Sequence, residues 1–358
     1  MRKSFKFLFE SILIFIISFI VIDLVISNTF LNLKNKNCNY YEKYYFELKK
    51  NCVGKKKIRP YLPAINIFTD EEGLRIKENH KRSKKKKIFV YGSSFIFGDG
   101  VNYEKSVIGM LENKHKEHEF YNFALPYGSP TFHLFKMKKK IEEKDIPEKI
   151  ILVLSMSDLL NEISIWGNYS ESGKPLLLND GIYQKSKVKE PFLKRNFRLS
   201  RSVALNIRNK MRIIRNKEKQ EKKGNKVRTT IQAGFTYLPL EELKNHYTKE
   251  SFKFGETKIK KRISEMLLIS KENDIEFFLA IFPFADTLEY GQKNYNWESF
   301  ARSLCPSSNC KLINSFYEYN YYKNNNKDWY KKLFFEGDEH FTELGHSILA
   351  DKFTKQIF

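Results

Sequence analysis

The chain has 358 residues, with 64 Lys and Arg against 42 Asp and Glu and a formal net charge of +22. That charge is scattered through lysine-rich segments, which argues against a nucleic-acid partner and fits a basic face near anionic headgroups or an acidic glycan. The four cysteines do not show Cys-x-x-Cys spacing, so neither a structural zinc site nor any other metal is expected.

From the N-terminus, 7–27 is a nearly continuous apolar run broken by Glu10, Asp23 and three serines. About twenty such residues is the length that spans a bilayer. Arg2, Lys3 and Lys6 precede the run, and the positive-inside tendency puts that end in the cytoplasm and the rest outside. No small-x-small cleavage site follows, so residues 1–28 are expected to be an uncleaved single-pass membrane anchor with the lipid bilayer as partner. An extracytoplasmic location suits disulfides. Pairing Cys38 with Cys52 and Cys305 with Cys310 is the simplest of the three connectivities. Residues 29–86 read as a membrane-proximal connector, with Pro60 and Pro63 marking extended chain.

The remainder, 87–358, alternates strand and helix. Ile88-Phe89-Val90-Tyr91 is a short run of β-formers closed by Gly92 and predicts a central strand. A helix over 106–116, a strand over 120–124, a helix over 130–143 and a strand over 150–154 follow. This βαβαβ order predicts a mostly parallel sheet in a three-layer α/β/α sandwich. The rhythm breaks over 165–255, a basic insertion in which Leu199, Val203, Ile207, Met211 and Ile214 make one apolar helical stripe. That helix either faces the core or forms a lid or membrane-surface element. A helix over 257–271, strands over 275–282 and 311–314 and a last helix over 343–355 complete the domain.

Gly92-Ser93-Ser94 sits at the carboxyl end of the first core strand, where open α/β sheets place their ligands. Far along the chain, Asp338-Glu339-His340 places an acid two residues before a histidine. An acid that orients a base, and a base that activates a hydroxyl, is the logic of nucleophilic catalysis. The candidate triad is therefore Ser94, Asp338 and His340. His133 and His346 are competing bases, and Asp158 and Glu162 read as structural or substrate-facing.

The pattern strand-Gly-x-Ser-x-x-x-Gly at Gly92, Ser94 and Gly98, together with Asp338 and His340 before a last helix, resembles the SGNH/GDSL hydrolases. Two middle blocks resemble the family as well: Tyr121 to Ser129 looks like its second strand and glycine loop, and Ile150 to Asp158 like its third strand. The resemblance implies an SGNH/flavodoxin-like fold and an oxyanion hole formed by the Ser94 and Gly128 N–H groups, with Ser157 where the family has an asparagine. The chain departs from the family at Ser93, which replaces an aspartate, and at Ser157, whose shorter hydroxyl replaces an amide. Asp70 to Arg75 resembles a motif preceding the catalytic domain in anchored members; a surface turn is the other reading. The implied activity is that of a serine esterase without cofactor, acting on an acylated envelope polysaccharide or glycolipid. An O-acyltransferase and a catalytically weak, anchored glycan-binding protein are the alternatives.

Overall fold

The computed structural model describes residues 2–29, 38–41, 46–59, 62, 64–165, 200, 207, 211, 227, 229–244, 246–306 and 309–358. The chain opens on helix α1 (Arg2–Thr29). A two-stranded ribbon follows, β1 (Asn39–Tyr41) with β2 (Phe46–Leu48), and then an antiparallel sheet of β3 (Val53–Lys56), β4 (Ile65–Thr69) and β5 (Arg75–Ile76).

The bilayer span expected over 7–27 is not shown. Among the described residues, no helix is long and apolar enough to cross a membrane. The helix itself exposes Ile14, Phe15 and Val25 but turns Asp23 inward, where the carboxylate accepts the Ser200 N–H at 2.9 Å. An acid engaged by protein interrupts the run the sequence suggested.

The core is a wholly parallel sheet of β6 (Lys86–Gly92), β7 (His118–Asn122), β8 (Lys149–Leu154), β9 (Glu276–Ile281) and β10 (Cys310–Asn314), in the order β10-β9-β8-β6-β7. Val90 lies between Asn122 and Ile151, and Leu152 lies beside Leu279. Strands buried on both faces read as continuous apolar runs, as Ile88 to Tyr91, Ile150 to Leu154 and Phe277 to Ile281 do.

The connections from β7 onward run across the sheet in the direction opposite to the first. Right-handed crossovers then place helices on both faces. The first connection carries α2 (Ser94–Phe97) and α3 (Val107–Lys114); the later ones carry α4 (Pro130–Glu142), α5 (Ser157–Ser164), α6 (Ile231–Gly234) and α7 (Lys249–Glu272). The last connection and tail carry α8 (Ala285–Tyr290), α9 (Trp297–Leu304), α10 (Phe316–Asn325), α11 (Trp329–Leu333) and α12 (Glu343–Ile357). α3 packs with α12, while α4 and α5 pack on α7. This is the expected three-layer sandwich. β6 lies between β7 and β8 where the strand order reverses, so the loop after it opens into the crevice at the switch point.

Most expected elements fall within two residues of the observed ones. α7 is the exception, beginning at Lys249 rather than near 257 because Thr248 and Ser251 cap it reciprocally, each side chain accepting from the other's backbone N–H. Its expected stripe of Ile259, Ile263, Met266, Leu267 and Ser270 is buried. The stripe in the insertion lies outside the described residues except for Ile207 and Met211, which are both exposed.

The connector over 29–86 is more than a tether. The disulfides are Cys38–Cys52 and Cys305–Cys310, and the first links the residue preceding β1 to the residue preceding β3. Asp70 to Arg75 is the β4–β5 turn, in which Asp70 Oδ1 accepts the Glu72 and Leu74 N–H groups. Gly73 has φ +84°, and a Cβ there would meet the Leu48 carbonyl at 2.5 Å. Arg75 at the turn's end is buried and donates to the carbonyls of Phe97, Gly98 and Val101 at 2.6 to 2.8 Å. The turn exposes Glu71 and Glu72 at the surface, while its buried arginine rivets the small sheet to the turn that closes α2.

Candidate active site

Ser94 is the first residue of α2, just past the end of β6. Its backbone N–H stands where a helix has no intrahelical acceptor, and Gly98 ends the helix in the left-handed conformation at φ +82°. A side chain at Gly98 would also meet Ser106 and Arg75 within 2.8 Å. The buried trio Phe95, Ile96 and Phe97 pins this short turn to the core while Ser94 stays partly open.

Across the crevice, the loop between α11 and α12 carries the other two members. Gly337 at φ +74° lets the chain reverse; the Asp338 N–H then bonds Phe335 O at 2.9 Å, and the Phe335 N–H bonds His340 O at 2.9 Å. In this turn Asp338 Oδ1 accepts the His340 N–H at 3.0 Å and also binds His340 Nδ1. His340 Nε2 lies 2.8 Å from Ser94 Oγ. The short Asp-x-His spacing works because the carboxylate folds back over its own turn. Phe95 packs against the imidazole with ring centroids 5.0 Å apart, holding the ring plane.

Electrostatics favour the charged forms of both groups. Burial opposes the Asp338 charge, but the hydrogen bonds from His340 and the nearby Arg59 hold its carboxyl well below the usual carboxylate range. Burial likewise opposes the His340 cation, yet the hydrogen bond to Asp338 and the charges of Asp99, Asp338 and Glu339 raise it above its ordinary 6.5. The rival bases have no such support. His133 and His346 are fully buried, neither has a hydrogen-bond partner on its ring nitrogens among the described residues, and burial pushes each down to about 3.

The oxyanion side is less complete. Gly128, expected as a donor, spends its N–H on the Leu125 carbonyl at 2.9 Å. The loop requires glycine for packing: a Cβ would meet His133 at 2.7 Å and the Gly92 carbonyl at 3.1 Å. Ser157 does line the cavity, with its hydroxyl 2.7 Å from that of Ser155. One helical turn on, Asn161 also lines the cavity and donates to the Gly128 carbonyl at 3.2 Å. Its position four residues after Ser157 was the available sequence signal, since i and i+4 share a helix face.

Asp158 and Glu162 are structural. Asp158 is buried and accepts the Ser155 N–H at 2.6 Å. Glu162 accepts from the Ser129 hydroxyl and from both the N–H and the hydroxyl of Thr131, at 2.7 to 2.8 Å, and so fixes the start of α4. Of the two roles expected for Glu162, structural or substrate-facing, these bonds support the structural one.

The triad opens into a cavity of ≈ 500 Å³ whose wall includes Lys56, Lys57 and Arg59 from the connector, Tyr127 from the glycine loop and Phe284. Strand order, the serine after the first core strand and the Asp-x-His turn before the last helix define an α/β fold with a Ser–His–Asp hydrogen-bonded chain, the arrangement that the resemblance to the SGNH/GDSL hydrolases implied. Among solved structures the chain is similar to a member of the lipolytic G-D-S-L family from Veillonella parvula, at 10% identity and a TM-score of 0.42, covering 76% of this chain and 97% of that one. It is also similar to a lipase from a goat rumen metagenome, at 12% identity and a TM-score of 0.43 with the same coverages. A psychrotrophic esterase from Pseudoalteromonas sp. overlaps at 10% identity and a TM-score of 0.38, covering 76% of this chain and 97% of that one. These overlaps are loose, and the assignment of the fold stands on the strand order and the geometry above. No protein-family model and no curated protein matches the sequence.

Proposed function

We propose that the chain is a serine esterase that works through an acyl-serine intermediate. The observation that carries this reading is the continuous hydrogen-bonded chain Ser94–His340–Asp338 at the mouth of a cavity. His340 Nε2 takes the Ser94 proton as Oγ bonds to an ester carbonyl carbon, and His340 then returns that proton to the departing alkoxide. Water repeats the sequence and releases the acid and Ser94. The Ser94 N–H is the backbone donor best placed for the oxyanion, with Ser157 assisting.

The substrate we infer is an acylated, most simply acetylated, envelope polysaccharide or glycolipid. Support comes from the N-terminal helix with its exposed Ile14, Phe15 and Val25, from Arg2, Lys3 and Lys6 ahead of it, and from two disulfides, which together favour an anchored extracytoplasmic protein. If a sugar hydroxyl replaces water, the same site is an O-acyltransferase. A second reading, an anchored glycan-binding protein with weak catalysis, is favoured by one observation: the Gly128 N–H is engaged inside its own turn.

Fluorophosphonate labelling separates the readings. The wild-type protein is expected to label at Ser94, and Ser94→Ala and His340→Ala to abolish labelling. A folded wild type that does not label puts the binding reading first.

A further inference from the structure

We propose that Arg59, from the segment preceding the parallel sheet, is a positioning residue of the catalytic apparatus: it fixes the Asp338 carboxylate so that Oδ1 stays aimed at His340. This inference rests on the esterase reading of the site. Asp338 has two oxygens with divided duties. Oδ1 receives both donors of His340, and Oδ2 receives the Arg59 Nε–H. The carboxylate side chain is only 1% exposed, so water does not substitute for the arginine on Oδ2. Without that donor the carboxylate is free to turn about its last torsion, and the base loses its orientation.

Arg59 is itself delivered by a built segment. The Cys38–Cys52 disulfide and the pairing of β3 with β4 hold the strand that leads to it. Lys56, at the end of β3, bonds both oxygens of Asp99 at 2.5 and 2.8 Å. Ile58 then lies against Gly100, where a Cβ would meet it at 3.1 Å. The segment is thus laid over the loop that follows α2 before Arg59 reaches Asp338, and Arg59 Nη2 also approaches Glu339 at 3.7 Å. A feature outside the strand–helix repeat completes the site.

The charges facing His340 are Asp338 and Glu339 on its own loop, Asp99 from the loop after α2, Arg59 and Lys56 from the connector, and the neutral, buried His346 on α12. Arg59 offsets the negative members of this set. Its removal takes a positive charge away from the neighbourhood of His340, so the acid limb of any reaction that needs neutral His340 moves to higher pH.

The test is the second-order rate of labelling by a fluorophosphonate from pH 5 to 9, with the full chain carrying Arg59→Gln, Arg59→Lys or, as a charge control on an exposed face of β3, Lys55→Gln. Arg59→Gln is expected to lower the plateau rate about tenfold to a hundredfold and to shift the acid limb upward. Arg59→Lys, which keeps charge but not the guanidinium geometry, keeps the limb and recovers part of the rate. Lys55→Gln matches wild type. Wild-type rate and limb in Arg59→Gln, or an equal limb shift in Lys55→Gln, overturns the proposal. If Arg59→Gln does not fold, full wild-type rate in Arg59→Lys overturns it. If the wild type does not label, the esterase reading fails on its own, and NMR titration of His340 still decides the role of Arg59: an unchanged midpoint in Arg59→Gln refutes it.

Discussion

The nucleophile side and the oxyanion side of the cavity are built differently. On the first, Ser94, His340 and Asp338 are joined by hydrogen bonds, and residues from three separate parts of the chain hold them: Phe95, Arg75 and Arg59. On the second, the glycine-loop N–H closes its own turn, and Tyr127 beside it sits at φ +63°, a conformation unfavourable for a side chain of that size. Donors there are a hydroxyl shared with Ser155 and an amide engaged with the Gly128 carbonyl. On the proposed esterase reading, activating a serine and stabilising the resulting oxyanion are therefore separable properties. A probe that reports the nucleophile and an ester that reports turnover will not give the same answer.

The largest effect lies on the nucleophile side. Ser94→Ala is expected to lower hydrolysis of a simple acetyl ester by about a thousandfold or more, measured as kcat/KM against wild type. Residual activity within tenfold would place the chemistry elsewhere and erase the contrast between the two sides.

Next comes Arg75, which ties the small antiparallel sheet to the nucleophile turn. Arg75→Met leaves three carbonyls, those of Phe97, Gly98 and Val101, without their charged donor. The loss should be about 3 kcal/mol of stability, read by urea unfolding. A cost below about 1 kcal/mol would show that water or a local shift replaces the guanidinium.

Acid should act on the oxyanion side through His133, which lies against Gly128. Its folded-state pKa is pushed by burial to about 3 from an ordinary 6.5. Between those values the unfolded chain binds the proton and the folded one does not, so stability falls as pH drops below 6.5. At pH 5 the histidine costs on the order of 2 kcal/mol. His340, raised rather than lowered, works in the opposite sense, so the comparison is best made with His133→Leu. That variant should lose about 2 kcal/mol less than wild type between pH 7 and pH 5 in urea unfolding.

The same division explains what was legible in the sequence. The parallel sheet could be read because its strands are buried on both faces, leaving runs such as Ile150 to Leu154 that local pattern alone reveals. Ser94 and the Asp338/His340 pair could be read because each sits at an element end marked by glycine, Gly92 before one and Gly337 before the other. Arg59 could not, since it acts on a residue far away in sequence, and an isolated charge has no local signature. Gly128 is ambiguous for a related reason: a glycine required by close packing on His133 looks, in sequence, like one required for its N–H.

The smallest expected effect is the sharpest test of the contrast. Ser157 occupies the cavity wall where an amide would reach further, and its hydroxyl is already 2.7 Å from Ser155 Oγ. If the oxyanion side limits turnover, Ser157→Asn supplies a longer N–H donor from the start of α5 and should raise kcat for acetyl-ester hydrolysis about tenfold. The rate of fluorophosphonate labelling should change less, because attack by Ser94 on the probe depends first on His340. Ser157→Ala should lower kcat by only about threefold, since a rotor shared with Ser155 stabilises the oxyanion weakly. A hundredfold loss in Ser157→Ala would instead mean that the serine pair is the oxyanion hole, and the two sides of the cavity would then be equally complete.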